Sequence, residues 1–153
     1  MAIDVTKIKE LREETGASIA DIRMALEQTK NDIAKAKEWL KTRGLEKAGK
    51  KKGRETNQGL IEGYVHGNGR VGVLVEVLCE TDFVARTDDF KNLCHEIAMQ
   101  VAAMNPKNTE ELLSQPYIRD NSQTVDQLIK GIIGKLGENI IVNRFERIAI
   151  GID

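Results

Sequence analysis

The sequence predicts an α+β protein, in which three short helices precede a core of about three antiparallel strands packed against helices. Apolar residues recur at helical spacing in the first part of the chain, up to residue 43. Further along, two strand-like runs, the second with alternating valines, flank Gly67-Asn68-Gly69, which is a typical hairpin turn. Amphipathic helical patterns then separate this hairpin from a β-rich segment near the end of the chain. The 153 residues suit one domain, or one domain with a small additional module.

The N-terminal helices are predicted from their caps as much as from their apolar faces. The first is expected to end near Gly16, because glycine readily takes the left-handed conformation after a helix. Ser18 caps the second helix, Asn31 or Asp32 caps the third, and Gly44 is expected to end it. Helices this short are marginal in isolation, so we expect the three to share one small core.

After Gly44 the helical periodicity disappears, and residues 50–54 read Lys-Lys-Lys-Gly-Arg. This composition favours a linker, although a short extension of the third helix is the alternative. We therefore predict a helical domain at 1–44, a basic linker at 45–58 and an α+β core at 59–153.

In the core, Leu60–His66 and Val71–Cys79 are predicted to form the hairpin strands. The valines of the second strand all fall on one face, which should be the buried one. Thr87 is expected to cap a long amphipathic helix that Pro106 ends.

The last third of the chain mixes weak and strong signals. Residues 105–123 are polar and are predicted to be irregular. Thr124 and Gln127 then form a capping box for another helix, which Gly137 should end. A β-rich segment follows, and its imperfect alternation suggests a bulge.

Composition excludes several classes of function. Lys and Arg number 23 against 24 for Asp and Glu, so no net field attracts nucleic acid. The basic run at 50–54 lacks an aromatic stacking platform, and no apolar run is long enough to span a membrane. Cys79 and Cys94 form no metal-ligand pattern and are expected to be buried thiols. No nucleophile–base motif is present, and His66 and His95 are expected to be solvated rather than catalytic.

The stretch Thr81-Asp82-Phe83-Val84 allows two interpretations. In one, Asp82 caps a turn and Phe83 packs beneath the following helix. In the other, Phe83 is held out for a partner, because that helix already has Thr87 as its cap and Phe90 as its core aromatic. The residues alone do not decide between them.

The first three helices resemble a ubiquitin-associated domain in their size, order and loop position. That resemblance implies a protein-binding adaptor as an alternative function. The loop that would bind, Thr15–Ser18, is small and contains no aromatic residue.

Two longer stretches resemble the elongation factor Ts family: ELREETGASIADIRMALEQTKNDIAKAKEWLKTRG (residues 10–44) and VGVLVEVLCETDFVAR (residues 71–86). KLGENIIVNRF (residues 135–145) is similar to a C-terminal signature of the same family. The resemblance implies a nucleotide exchange factor of bacterial-type translation, with no covalent chemistry and no cofactor of its own. It implies elongation factor Tu as the partner, whose Mg²⁺ is dislodged and whose GDP is released. The location would be the bacterial cytoplasm, or an organelle interior.

The family's contact positions carry over to seven residues. The segment that reaches toward the partner's magnesium and nucleotide site corresponds to Thr81, Asp82, Phe83 and Val84. Contacts of the N-terminal domain correspond to Arg12, Ile19 and Ala20, although the pair Ile19-Ala20 replaces the commoner methionines. One core module stands where longer members have two, and a helical-hairpin insert is missing. Short forms of this kind imply a homodimer, which would cover the bare face of a three-stranded sheet.

Overall fold

A computed structural model describes residues 2–151. Its helices are α1 (Val5–Thr15), α2 (Ile19–Gln28), α3 (Ile33–Lys51), α4 (Asp82–Ala85), α5 (Asp88–Met104), α6 (Thr109–Ser114) and α7 (Val125–Leu136). Its strands are β1 (Gln58–His66), β2 (Val71–Cys79), β3 (Pro116–Tyr117), β4 (Asp120–Thr124) and β5 (Ile141–Ala149). The mixture of helices with antiparallel strands confirms the predicted α+β class.

The three N-terminal helices share one apolar core, as their short lengths require. Its fully buried members include Leu11, Ile22 and Leu26. The predicted caps are present, because the Ser18 side chain accepts a hydrogen bond from the Asp21 amide and Asp32 accepts one from the Lys35 amide.

The third helix is longer than the sequence pattern predicted, since it passes through Gly44 and continues to Lys51. Its extension is held by tertiary contacts: Ala48 is buried in the core formed by the sheet and α5. Lys47 pairs with Asp21 of α2. Gly44 is not a helix end, and it lies against Gly134 of α7, where a Cβ at Gly134 would meet its Cα at 3.0 Å. Residues 45–51 are therefore helical, and the division of the chain into domains stays a prediction.

The main sheet has the order β1-β2-β5, with β2 in the centre and both pairs antiparallel. The register between β2 and β5 shifts at Glu76/Val77, which matches the irregularity expected from the C-terminal alternation. On the inner face Val73, Val75 and Val77 are buried against α5 and α7.

Residues 105–123 are more ordered than predicted. They contain α6, capped by Asn108, and the short antiparallel pair β3–β4. Gln100 of α5, itself fully buried, donates to the Pro116 carbonyl and accepts from the Ile118 amide. A distant side chain therefore satisfies backbone groups of this segment, and no local apolar pattern marks the contact.

Candidate partner-binding site

The stretch that follows β2 forms a single helical turn, α4. Thr81 is its N-cap in an extended conformation, and its hydroxyl accepts a hydrogen bond from the Val84 amide at 3.3 Å. Thr87 caps the next helix, and its hydroxyl accepts from the Phe90 amide at 3.2 Å. Asp82 is therefore a first-turn residue and not the cap. An acid in that position is favourable because helix N-termini carry partial positive charge.

The side chains of this turn point in different directions. Phe83 is 78% exposed, whereas the next aromatic, Phe90, is completely buried. The interpretation that packed Phe83 beneath the helix is therefore wrong. Asp82 is also exposed and pairs with Arg86 at 2.6 Å.

Val84 differs from the other residues that the family resemblance grouped with it. It is only 6% exposed and belongs to the core cluster, as does Ala85. A side chain buried to this degree offers a partner very little surface while the turn stays folded. Val84 anchors α4, while Asp82 and Phe83 remain accessible on its outer side.

The beginning of the turn is tied to the segment after α7. Glu138 accepts hydrogen bonds from the amides of Glu80 and Thr81 at 3.1 and 3.0 Å, and from the Thr81 hydroxyl at 2.7 Å. Asn139 donates its amide to the Glu80 carboxylate at 2.6 Å in return. Sequence reasoning missed Glu138, because no local pattern connects residues 57 positions apart.

The predicted N-terminal contacts lie in a different part of the fold. Ile19 is 51% exposed at the start of α2, and Ala20 beside it is exposed too. Arg12 is exposed and donates to the Ala17 carbonyl at 2.9 Å, which ties α1 to the loop before α2. The turn α4 packs on β1, β2 and α5, whereas α1 and α2 pack on each other and on α3.

The two thiols, Cys79 and Cys94, are buried, whereas His66 and His95 are exposed. Burial raises the pKa of the Cys79 thiol to about 11 and that of Cys94 to about 12, so both are protonated at neutral pH. Both histidines contact Tyr64. The Tyr64 hydroxyl is 2.8 Å from His66 Nδ1, and the rings of His95 and Tyr64 pack edge to face. No group of three or more potential metal-ligating side chains occurs among residues 2–151.

The outer face of the main sheet carries several exposed apolar side chains. They are Ile61 and Val65 of β1, Leu74 of β2, and Ile148 of β5. Each is more than half exposed, and together they line the face opposite the buried valines. An apolar face of this kind is typical of an interaction surface. In the part of the chain that the structure describes, no helix is long and apolar enough to cross a membrane.

An exposed aromatic on an anchored turn, together with a bare apolar sheet face, is the arrangement of a protein-binding module. Comparison with known proteins agrees with this class and identifies one family within it. A family model described as elongation factor TS matches residues 80–152, which include the turn and Glu138.

Curated relatives match over nearly the whole chain. Elongation factor Ts of Coprothermobacter proteolyticus is 43% identical over 196 aligned positions, covering 99% of this chain and 100% of the relative. Elongation factor Ts of Caldanaerobacter subterraneus is 41% identical, with 97% of each chain covered. That of Nitratidesulfovibrio vulgaris is 39% identical, with 99% and 98% covered. The chain belongs to the elongation factor Ts family, and its role is in translation elongation during protein biosynthesis.

Proposed function

We propose that this protein is a guanine-nucleotide exchange factor that binds GDP-bound elongation factor Tu, dislodges its Mg²⁺ and promotes release of GDP so that GTP can bind. The observation that carries the proposal is the exposure of Phe83 on a turn whose two neighbours, Val84 and Ala85, are buried. Such a side chain contributes little to its own fold and is available to a partner.

Exchange of this kind requires differential binding rather than covalent chemistry. The factor must bind the nucleotide-free partner more tightly than the GDP-bound one, and by linkage GDP and the factor weaken each other by the same ratio. Each tenfold acceleration of release corresponds to about 1.4 kcal/mol of barrier lowering. No step needs a nucleophile or a cofactor in this chain.

Phe83 is the residue that we assign to the central contact. Its insertion between side chains of the partner would shift the segment that holds the magnesium. Loss of the metal would weaken the partner's binding of the GDP phosphates, since the ion neutralises their charge. Asp82 assists from the same turn; its surface pair with Arg86 is worth little in water and therefore costs little to break. Thr81 caps the turn, and Val84 fixes it to the core.

Arg12, Ile19 and Ala20 form the second contact in this proposal. The half-exposed Ile19 offers apolar surface to the partner's nucleotide-binding domain. Arg12 holds the preceding loop through the Ala17 carbonyl and leaves its exposed charge near the same surface.

A second copy of the chain is our proposed occupant of the outer sheet face. The apolar side chains on that face lie on all three strands, so one sheet packed on another would bury them together. A symmetric dimer would also supply two core modules, in place of the two halves of longer family members. We expect neither nucleic acid nor a membrane as a direct partner. We expect the site of action to be the bacterial cytoplasm or an organelle interior.

The experiment that tests the function is the release of a fluorescent GDP from elongation factor Tu across a concentration series of this protein. Substoichiometric amounts are expected to accelerate release. A folded sample that leaves the rate unchanged would overturn the proposal. In that case, capture of ubiquitin through the Thr15–Ser18 loop would favour the adaptor function instead.

A further inference from the structure

Glu138 lies next to the first residues of the turn that carries Phe83. The helix α7 ends at Gly137, whose φ of 77° is the left-handed conformation that glycine adopts readily. The chain then changes direction, and the next side chain reaches the end of β2. There its carboxylate accepts three hydrogen bonds, two from backbone amides and one from the Thr81 hydroxyl.

The hydroxyl of Thr81 connects this carboxylate to the turn itself. A hydroxyl has one proton and two lone pairs, and its proton is directed at Glu138 Oε2. A lone pair of the hydroxyl oxygen is then free to accept the hydrogen bond from the Val84 amide that caps α4. Glu138 therefore orients the cap, and the cap orients the turn.

Contacts of Glu80 also join the end of β2 to the segment after α7. The Glu80 carboxylate accepts from the Asn139 amide and pairs with Arg54 at 2.9 Å. The Asn139 side chain, in turn, donates to the Arg54 carbonyl at 3.0 Å. Three segments distant in sequence are thus held together, in part by hydrogen bonds to the Glu80 carboxylate, which are stronger than neutral ones.

A four-residue helix cannot hold its own conformation, since nucleation alone is unfavourable. The burial of Val84 and Ala85 fixes its C-terminal side, and the Glu138–Thr81 contact fixes its N-terminal side. Phe83 lies between these two points of attachment. A side chain ordered before binding avoids the entropic cost of being ordered during binding.

We propose that Glu138 is a positioning residue that holds Thr81, and through it Phe83, in the orientation in which the partner is bound. This inference rests on the proposed exchange function. Glu138 needs no contact with the partner, because it acts through the turn.

The first test uses the protein without any partner. Amide hydrogen exchange measured by NMR is expected to be at least about tenfold faster at Thr81 and Val84 in Glu138→Ala than in the wild type. Glu138→Gln keeps an oxygen for the two amides but replaces the acceptor of the Thr81 hydroxyl, so its effect should be intermediate. Glu110→Gln, which changes an exposed carboxylate on α6, is the matched control. Unchanged protection at both amides in Glu138→Ala would overturn the proposal.

The second test is a double-mutant cycle with Phe83→Ala, using the dissociation constant for nucleotide-free elongation factor Tu. Glu138→Ala is expected to weaken binding about tenfold in the wild-type background and less than about twofold in the Phe83→Ala background. An equal loss in both backgrounds would mean that Glu138 acts on overall stability and not through Phe83, which would refute the inference. Glu138→Gln provides the same comparison if the alanine variant folds poorly. Should the wild-type protein fail to accelerate GDP release, the exchange function itself falls. The amide measurement still decides whether Glu138 holds the turn.

Discussion

Phe83→Ala is expected to lower kcat/KM for GDP release by about a hundredfold and to leave the free energy of unfolding nearly unchanged. A phenylalanine side chain buries about 200 Å² when it is fully enclosed. Since 78% of Phe83 is exposed in the free protein, about 160 Å² of that area is still available for burial in a partner. At about 25 cal/mol per Å², its burial is worth about 4 kcal/mol before the cost of ordering the side chain, and about 3 kcal/mol afterwards.

Phe90 supplies a matched contrast, because it is the same residue type with no exposed surface. Phe90→Ala should reduce the free energy of unfolding by about 3–5 kcal/mol, a large share of the total stability of a small domain. Urea denaturation measures this change in both variants. Release of fluorescent GDP from elongation factor Tu then measures the functional loss in Phe83→Ala.

We expect Phe83→Ala to change GDP release strongly and urea denaturation very little. A Phe83→Ala variant that unfolds at much lower urea concentration would mean that the side chain supports the fold. A stable variant with wild-type stimulation would mean that Phe83 is exposed but not used. Phe83→Leu keeps much of the apolar area and should therefore lose less stimulation than the alanine variant.

Three further predictions concern stability and assembly. Gly59→Ala should lower the melting temperature strongly, because its φ is +154° and a Cβ would lie 2.0 Å from the Val77 carbonyl oxygen. Lys47→Met should cost about 1 kcal/mol at pH 7, measured by urea denaturation, since the Lys47 ammonium group lowers the pKa of Asp21. A lowered carboxyl pKa stabilises the folded state at pH values above the pKa of the unfolded chain, which is about 4. The difference in unfolding free energy between Lys47→Met and the wild type should therefore shrink as the pH falls below about 4. A difference that stays constant with pH would contradict the pairing of Lys47 with Asp21. Leu74→Glu places a charge in the centre of the outer sheet face, and sedimentation is expected to show a dimer for the wild type and a monomer for the variant. A monomeric wild type would refute the proposed dimer, and a dimeric variant would place the interface elsewhere.

Local signals in the sequence were sufficient for most of the regular elements. The hairpin strands follow from the alternating valines of the second strand and from the turn at Gly67-Asn68-Gly69, and the structure confirms them. The capping box of Thr124 with Gln127 is present with both of its hydrogen bonds. These features were predictable because their physical causes lie within a few neighbouring residues.

The elements that the sequence missed or left open are stabilised by distant contacts. The extension of α3 beyond Gly44 depends on the burial of Ala48 and on the pair between Lys47 and Asp21. The ordered structure within 105–123 depends on the buried Gln100, which has no signature near those residues. A polar stretch with few apolar neighbours carries too little local information to predict such partners.

By itself, the sequence determined the α+β class, the caps and strands, and the candidate stretch Thr81–Val84. It could not decide whether Phe83 was buried or exposed, because solvent exposure depends on how α4 packs on segments remote in sequence. The tertiary structure exposed Phe83, buried Val84 and brought Glu138 to the Thr81 hydroxyl. Each of these depends on long-range packing or hydrogen bonding, whose partners only the folded chain brings together.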